Sequence, residues 1–162
     1  AKAGVHITYQ PHLIHYNNLA LPLRLRVQTD QNVGVLKLFP GIQEAFVRQV
    51  LNAPGLRGLV LETFGAGNAP SSEWLYRLLH DAVERGIIIV NKTQCNTGSV
   101  EMGLYAVSMN LVKAGVISGY DITTEALLTK MMYLLGENPD DPETVKELLQ
   151  KDLCGEITVD EG

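Results

Sequence analysis

The sequence predicts an α/β fold, a three-layer sandwich around a four-stranded parallel sheet of the Rossmann-like kind, and three observations carry that expectation. Short apolar runs at 33–38, 59–61, 87–90 and 115–118 alternate with stretches whose apolar residues recur at the helical period. The third run, Ile87-Ile88-Ile89-Val90, is apolar on both faces, as a parallel strand covered by helices on each side must be. The connections are short, which leaves right-handed crossovers as the way to join parallel strands.

In order along the chain, residues 1–20 hold His6, His12 and His15 without helical or alternating periodicity and read as a connecting segment. Pro11 works against a helix holding His12 and His15 on one face, and no acidic or cysteine ligand is near them, so no metal site is expected. Residues 19–27 alternate, with Leu19, Leu21, Leu23, Leu25 and Val27 on one side and Arg24 and Arg26 on the other. That pattern predicts a half-buried extended segment, which Pro22 confines to an edge or to outside the sheet.

After a polar turn at 29–32 comes the first core strand, 33–38, stopped by Pro40-Gly41. The helix that follows is expected to turn Ile42, Phe46, Val50 and Leu51 inward, and Pro54-Gly55 then releases the chain. The second strand, Leu59-Val60-Leu61, leads through Glu62 and Thr63 into a glycine-rich turn, Phe64-Gly65-Ala66-Gly67-Asn68-Ala69-Pro70. Its helix carries Leu75, Leu78, Leu79, Ala82 and Val83 on one face and ends at Gly86 as a C-terminal cap. The third strand is expected at 87–91, followed by a glycine-bearing loop at 92–103, a helix near 104–113 and a short fourth strand at 115–118.

Asp121 or Thr123 can cap a helix at 124–135, whose Leu127, Leu128, Met131, Met132, Leu134 and Leu135 run round much of its circumference. It is therefore central, or it faces a partner. Asp141-Pro142-Glu143 is a sound start for a last helix with Val145, Leu148 and Leu149 inward, and the acidic tail at 152–162 is expected at the surface.

At 162 residues, the chain is one domain that can bury roughly 70% of its unfolded surface. It is 46% hydrophobic and 19% charged, with no apolar run near the ~18 residues of a membrane span, so no membrane partner is expected. A net charge of -5, with 13 scattered basic residues, gives no concentrated positive field, so nucleic acid is not expected as a partner either. Two cysteines and the lack of a charged-then-apolar opening point to a reducing, cytoplasmic setting.

Chemistry should gather at the C-terminal strand ends, where backbone amides and helix N-termini point outward. The turn at 65–70 resembles the start of a dinucleotide fingerprint, but Pro70 replaces its third glycine and Asn91 stands where an acidic residue would hold a ribose. Cys95 has no base in view: His80, the nearest histidine in sequence, falls outside its helix's apolar stripe and reads as a surface residue. The pairs Asp140-Asp141 and Asp160-Glu161 read as capping and solvated charges. What remains is polar and uncharged: Asn68, Asn91, Thr93, Gln94, Cys95, Asn96 and Thr97 could hydrogen-bond a small polar ligand such as an amino acid, or satisfy the loop backbone.

Three segments together resemble one family. Residues 61–70 (Leu-Glu-Thr-Phe-Gly-Ala-Gly-Asn-Ala-Pro), Arg85-Gly86 through Asn91-Lys92-Thr93-Gln94-Cys95, and 114–123 (Ala-Gly-Val-Ile-Ser-Gly-Tyr-Asp-Ile-Thr) are similar to the C-terminal domain of cytosolic, type I L-asparaginases. Residues 153–158 resemble that family's ending, and the likeness covers nearly the whole chain with unbroken spacing.

The resemblance implies an amidohydrolase that converts L-asparagine to aspartate and ammonia with no cofactor, through a threonine nucleophile and an acyl-enzyme. The family's catalytic threonine segments, in an N-terminal domain, do not occur here. The chain then corresponds to the smaller C-terminal domain of the asparaginase fold, with residues 1–30 as the interdomain connection, 31–162 as the α/β domain, and no catalytic residue of its own. In the family this domain completes the active site of a partner subunit in a dimer or dimer of dimers. The position matching Asn68 approaches substrate there, although Asn68 could instead be an N-cap.

Some bacterial members also bind asparagine at an allosteric site through an arginine, a threonine and a cysteine. Thr93 and Cys95 match, but Glu62 replaces the arginine and would repel a carboxylate, so the site is expected to be vestigial. Two other readings stand beside this one: a free-standing domain sensing an amino acid, and a dimerisation module using the helix around Met131.

Overall fold

The computed structural model describes residues 2, 3, 7, 8, 25 to 95, 98 to 100 and 106 to 158. A short antiparallel pair, β1 (Lys2–Ala3) and β2 (Ile7–Thr8), precedes the main body. Then follow β3 (Val33–Lys37), α1 (Glu44–Leu51), β4 (Gly58–Thr63), α2 (Glu73–Glu84), β5 (Ile88–Thr93), α3 (Ala106–Lys113), β6 (Ile117–Ser118), α4 (Thr124–Glu137) and α5 (Pro142–Leu149). The sheet is parallel throughout, in the order β3-β4-β5-β6.

That order decides the layers. Each crossover moves one strand along in the same direction, so the right-handed rule puts α1, α2 and α3 on a single face. The opposite face has to be covered by chain that comes after β6. Side-chain alternation records this: Leu59, Leu61 and Ile89 pack with Val47, Leu51, Leu75 and Leu79, whereas Val60, Ile88 and Val90 pack with Leu127, Met131, Leu134 and Val145. The three-layer sandwich expected from the sequence is the fold observed. Each fully buried Leu, Ile or Val contributes about 1.5–3 kcal/mol of transfer free energy.

Local signals account for the helix ends. Gly86 lies at φ +91°, its N–H bonds to Val83 O at 2.8 Å, and Ile87 N bonds to Ala82 O at 3.1 Å, a Schellman motif as the sequence predicts. Thr123, not Asp121, caps α4 by accepting from Ala126 N at 3.2 Å, while Asp121 accepts instead from Thr158 N at 2.8 Å. Asp141 caps α5 with Pro142 in the first turn, as expected.

Four expectations are corrected. On α1 the inward residues are Val47 and Leu51, one period of four apart, and Phe46 falls about 100° round and is 52% exposed. Leu25 and Val27 are exposed, because the segment at 25–30 lies across the C-terminal end of α4. There Asp30 N bonds to Met132 O at 2.9 Å, Arg26 pairs with Glu137, and Gly136 lets the Gln28 carbonyl approach. The third strand runs to Thr93, two residues beyond the predicted Asn91.

The tail, last of the four, is not wholly superficial. Ile157 is buried, and Glu156 pairs at 2.7 Å with Lys130, a buried lysine in the middle of α4. Lys130 also donates to the carbonyls of Leu149 and Lys151, so one ammonium ties α4, the end of α5 and the tail together. His6, His12, His15 and residues 19–24 of the alternating run lie outside the described residues.

Candidate functional site

β4 ends in a turn that closes on itself. Phe64 N donates to Asn68 O at 2.8 Å, and Asn68 N and Gly67 N donate back to Phe64 O at 2.8 and 3.0 Å. Gly67 has φ +101°, and a Cβ there would lie 2.8 Å from Val100 Cγ1 and 3.1 Å from Asn91 Nδ2, so only glycine fits.

β5 clamps the turn from the neighbouring strand. Asn91 and Thr93 share the face of Ile89 and are both fully buried. Asn91 accepts from the Thr63 hydroxyl at 2.6 Å and donates to Gly67 O at 3.1 Å. The Thr93 hydroxyl donates to Gly65 O and accepts from Cys95 N at 3.0 Å. Gln94 spends its amide on Leu38 O at 2.6 Å and Glu62 O at 3.0 Å. These three polar side chains hold loop backbone; Asn96 and Thr97 lie outside the described residues.

Asn68 is different. It is half-buried, its backbone is pinned at both N–H and C=O, and its carboxamide makes no hydrogen bond among the described residues. It is not an N-cap either, since α2 begins at Ser72–Glu73. The fold thus fixes this side chain's position while leaving two donors and an acceptor for something else.

The three residues compared above with an effector site are not brought together as a set. Thr93 and Cys95 touch, but Glu62 shares the Val60 face, on the α4 side of the sheet. Its carboxylate accepts from the Thr124 hydroxyl at 2.5 Å and lies 3.8 Å from Lys37 Nζ. Register places Lys37 and Lys92 directly beside Glu62 on the two flanking strands, in a polar pocket of about 390 Å³ roofed by the start of α4.

Lys92 is a buried residue that sequence reasoning missed. Ending the strand at Asn91 hid the signal, which is that Lys92 is two residues after Val90 and so repeats its face. Cys95 is an exposed free thiol and His80 is exposed on α2. Among the described residues, no group of three His, Cys, Asp or Glu could hold a metal, and no helix is long and apolar enough to cross a membrane.

The family description "Glutaminase/Asparaginase C-terminal domain" matches residues 32–149. The chain is 44% identical over 158 residues to the human 60 kDa lysophospholipase, covering 98% of this chain and 27% of that protein. It is also 44% identical over 133 residues to L-asparaginase 1 of Escherichia coli (strain K12), covering 82% of this chain and 39% of the relative. Among solved structures, L-asparaginase I from Vibrio cholerae O1 biovar eltor superposes with a TM-score of 0.81 at 43% identity, over 88% of this chain and 42% of that one. The chain spans well under half the length of these relatives.

Proposed function

Because the chain belongs to the glutaminase/asparaginase C-terminal domain family, we propose that it serves as the smaller domain of an L-asparaginase that hydrolyses L-asparagine to aspartate and ammonia. The observation that carries this reading is the closed turn at 64–68, which presents an uncommitted Asn68 amide at a strand end in a chain matching only part of longer asparaginases. In this reading residues 1–30 connect to an N-terminal domain that supplies the threonine nucleophile, and Asn68 contacts substrate bound to a partner subunit. An amide there pairs with the amino acid's charged groups without adding a competing charge. The assembly is a dimer or dimer of dimers in the cytoplasm, working without a cofactor.

Glu62, Thr93 and Cys95 form no asparagine-activating site in this reading. Glu62 lies on the other face of the sheet from Thr93, and its charge opposes a carboxylate.

An ammonia-release assay tests the proposal. The 162-residue chain alone releases none, while the full-length protein turns over asparagine; steady turnover by the chain alone sinks the idea. The human relative carries the name of a lysophospholipase, so a lysophospholipid is assayed in parallel. Hydrolysis of the lipid without hydrolysis of asparagine would likewise refute the assignment.

A further inference from the structure

Lys92 is only 6% exposed, and among the described residues its ammonium has neither a hydrogen bond nor an ion pair. Its stem is packed while its Nζ still meets solvent through the pocket, so an anion arriving there finds a cation already held in place. The group lines the pocket described above, whose volume of about 390 Å³ lies in the range of roughly 300–1,000 Å³ usual for small-molecule sites.

The surrounding charges say which anion. Lys37, Glu62 and Lys92 are Cα partners in register across three adjacent strands and project on the same face, making a row of plus, minus, plus. Glu62 Oε1 is held by Thr124, and Oε2 has Lys37 at 3.8 Å. Thr124 and Glu125 are the first two residues of the 14-residue α4, whose dipole turns its positive end toward the pocket. The Glu125 carboxylate is at the exposed rim, and Gln94 has already committed both amide hydrogens to backbone carbonyls.

We propose that this pocket binds a free amino acid with a carboxylate side chain, of the aspartate or glutamate class. Its two carboxylates meet Lys92 and Lys37, and its α-ammonium meets Glu62, so the ligand's minus, plus, minus answers the row beneath it. A neutral side-chain amide such as asparagine's forfeits one ion pair. A plain dicarboxylate such as succinate forfeits the contact with Glu62 and meets its charge unshielded. The assignment rests on the lysines and does not require the reaction proposed above.

Calorimetric titration of the chain with aspartate, glutamate, asparagine and succinate tests it, with folding checked by thermal unfolding. Saturable binding of aspartate or glutamate is expected, at least tenfold tighter than asparagine or succinate. Lys92→Met is expected to weaken it more than tenfold. Lys37→Met, at an exposed side chain that leaves folding intact, is expected to weaken it several-fold. No saturable binding up to about 10 mM, beyond the weak end of small-ligand affinity, would overturn the proposal. So would equal affinity for asparagine, or binding untouched by Lys37→Met. None of these results bears on ammonia release, so the two readings fail separately.

Discussion

The Asn91 side chain donates to the carbonyl of Gly67 at 3.1 Å, fastening a central strand to the turn that ends its neighbour. The same carboxamide accepts from Thr63 at 2.6 Å, so one buried residue serves two elements. Asn91→Leu keeps the approximate volume but leaves the Gly67 carbonyl and the Thr63 hydroxyl without these partners. It is expected to lower stability by about 2–3 kcal/mol in urea unfolding. An unchanged midpoint would show that the clamp is dispensable.

Asn68→Ala is expected to behave in the opposite way. Its carboxamide makes no hydrogen bond among the described residues, so the melting temperature should stay within about 2 °C of the parent. In the full-length protein, kcat/KM for asparagine should fall at least tenfold, equivalent to about 1.4 kcal/mol of transition-state stabilisation. A loss of stability without a loss of activity would remove Asn68 from the site.

Acid should loosen the tail first. Burial pushes the Glu156 carboxyl up, but the hydrogen bond from Lys130 and the amides of Cys154 and Leu153 outweigh it and hold the group down at about 2, against an ordinary 4.5. A carboxyl lowered in the folded state adds stability that is complete above about 4.5 and disappears as the pH falls toward 2. Hydrogen exchange around Leu153 and Cys154 should therefore rise across that window. Lys130→Met removes the largest contribution lowering the carboxyl and is expected to cost about 2–3 kcal/mol at neutral pH.

Gly58 begins β4 under α4. An added Cβ would meet the Met131 sulfur and lie 2.7 Å from Val33 Cγ1. Gly58→Ala is expected to destabilise by about 1–3 kcal/mol through overpacking. Met131→Ala in the same chain should recover part of that loss, and thermal unfolding of the single and double variants checks it.

Much of this fold was legible because its signals are local. The apolar run Ile87 to Val90, the glycine after α2 and the Asp141-Pro142 start each act within a few residues, and each lies where the sequence places it. Phe46 was misread because α1 has several apolar residues, and only the sheet beneath it selects Val47. Lys92 and Lys130 escaped notice since lysine is rarely buried, and what buries them comes from distant chain: the roof of α4 in one case, Glu156 in the other. At the site, Asn68 could be singled out from sequence, but its distinction from Asn91, Thr93 and Gln94 could not. All four are polar groups at strand ends, and only hydrogen bonds across the turn show which three are already engaged.

The strand order β3-β4-β5-β6 also sets a schedule. A nascent chain that has emerged only as far as Ser118 contains every strand and the helices of one side, yet Val60, Ile88 and Val90 have nothing over them until Leu127 to Leu135 follow. During synthesis the domain therefore passes through a half-clad stage with a greasy sheet surface open to chaperones and to neighbouring chains, and it ends only when α4 has left the ribosome.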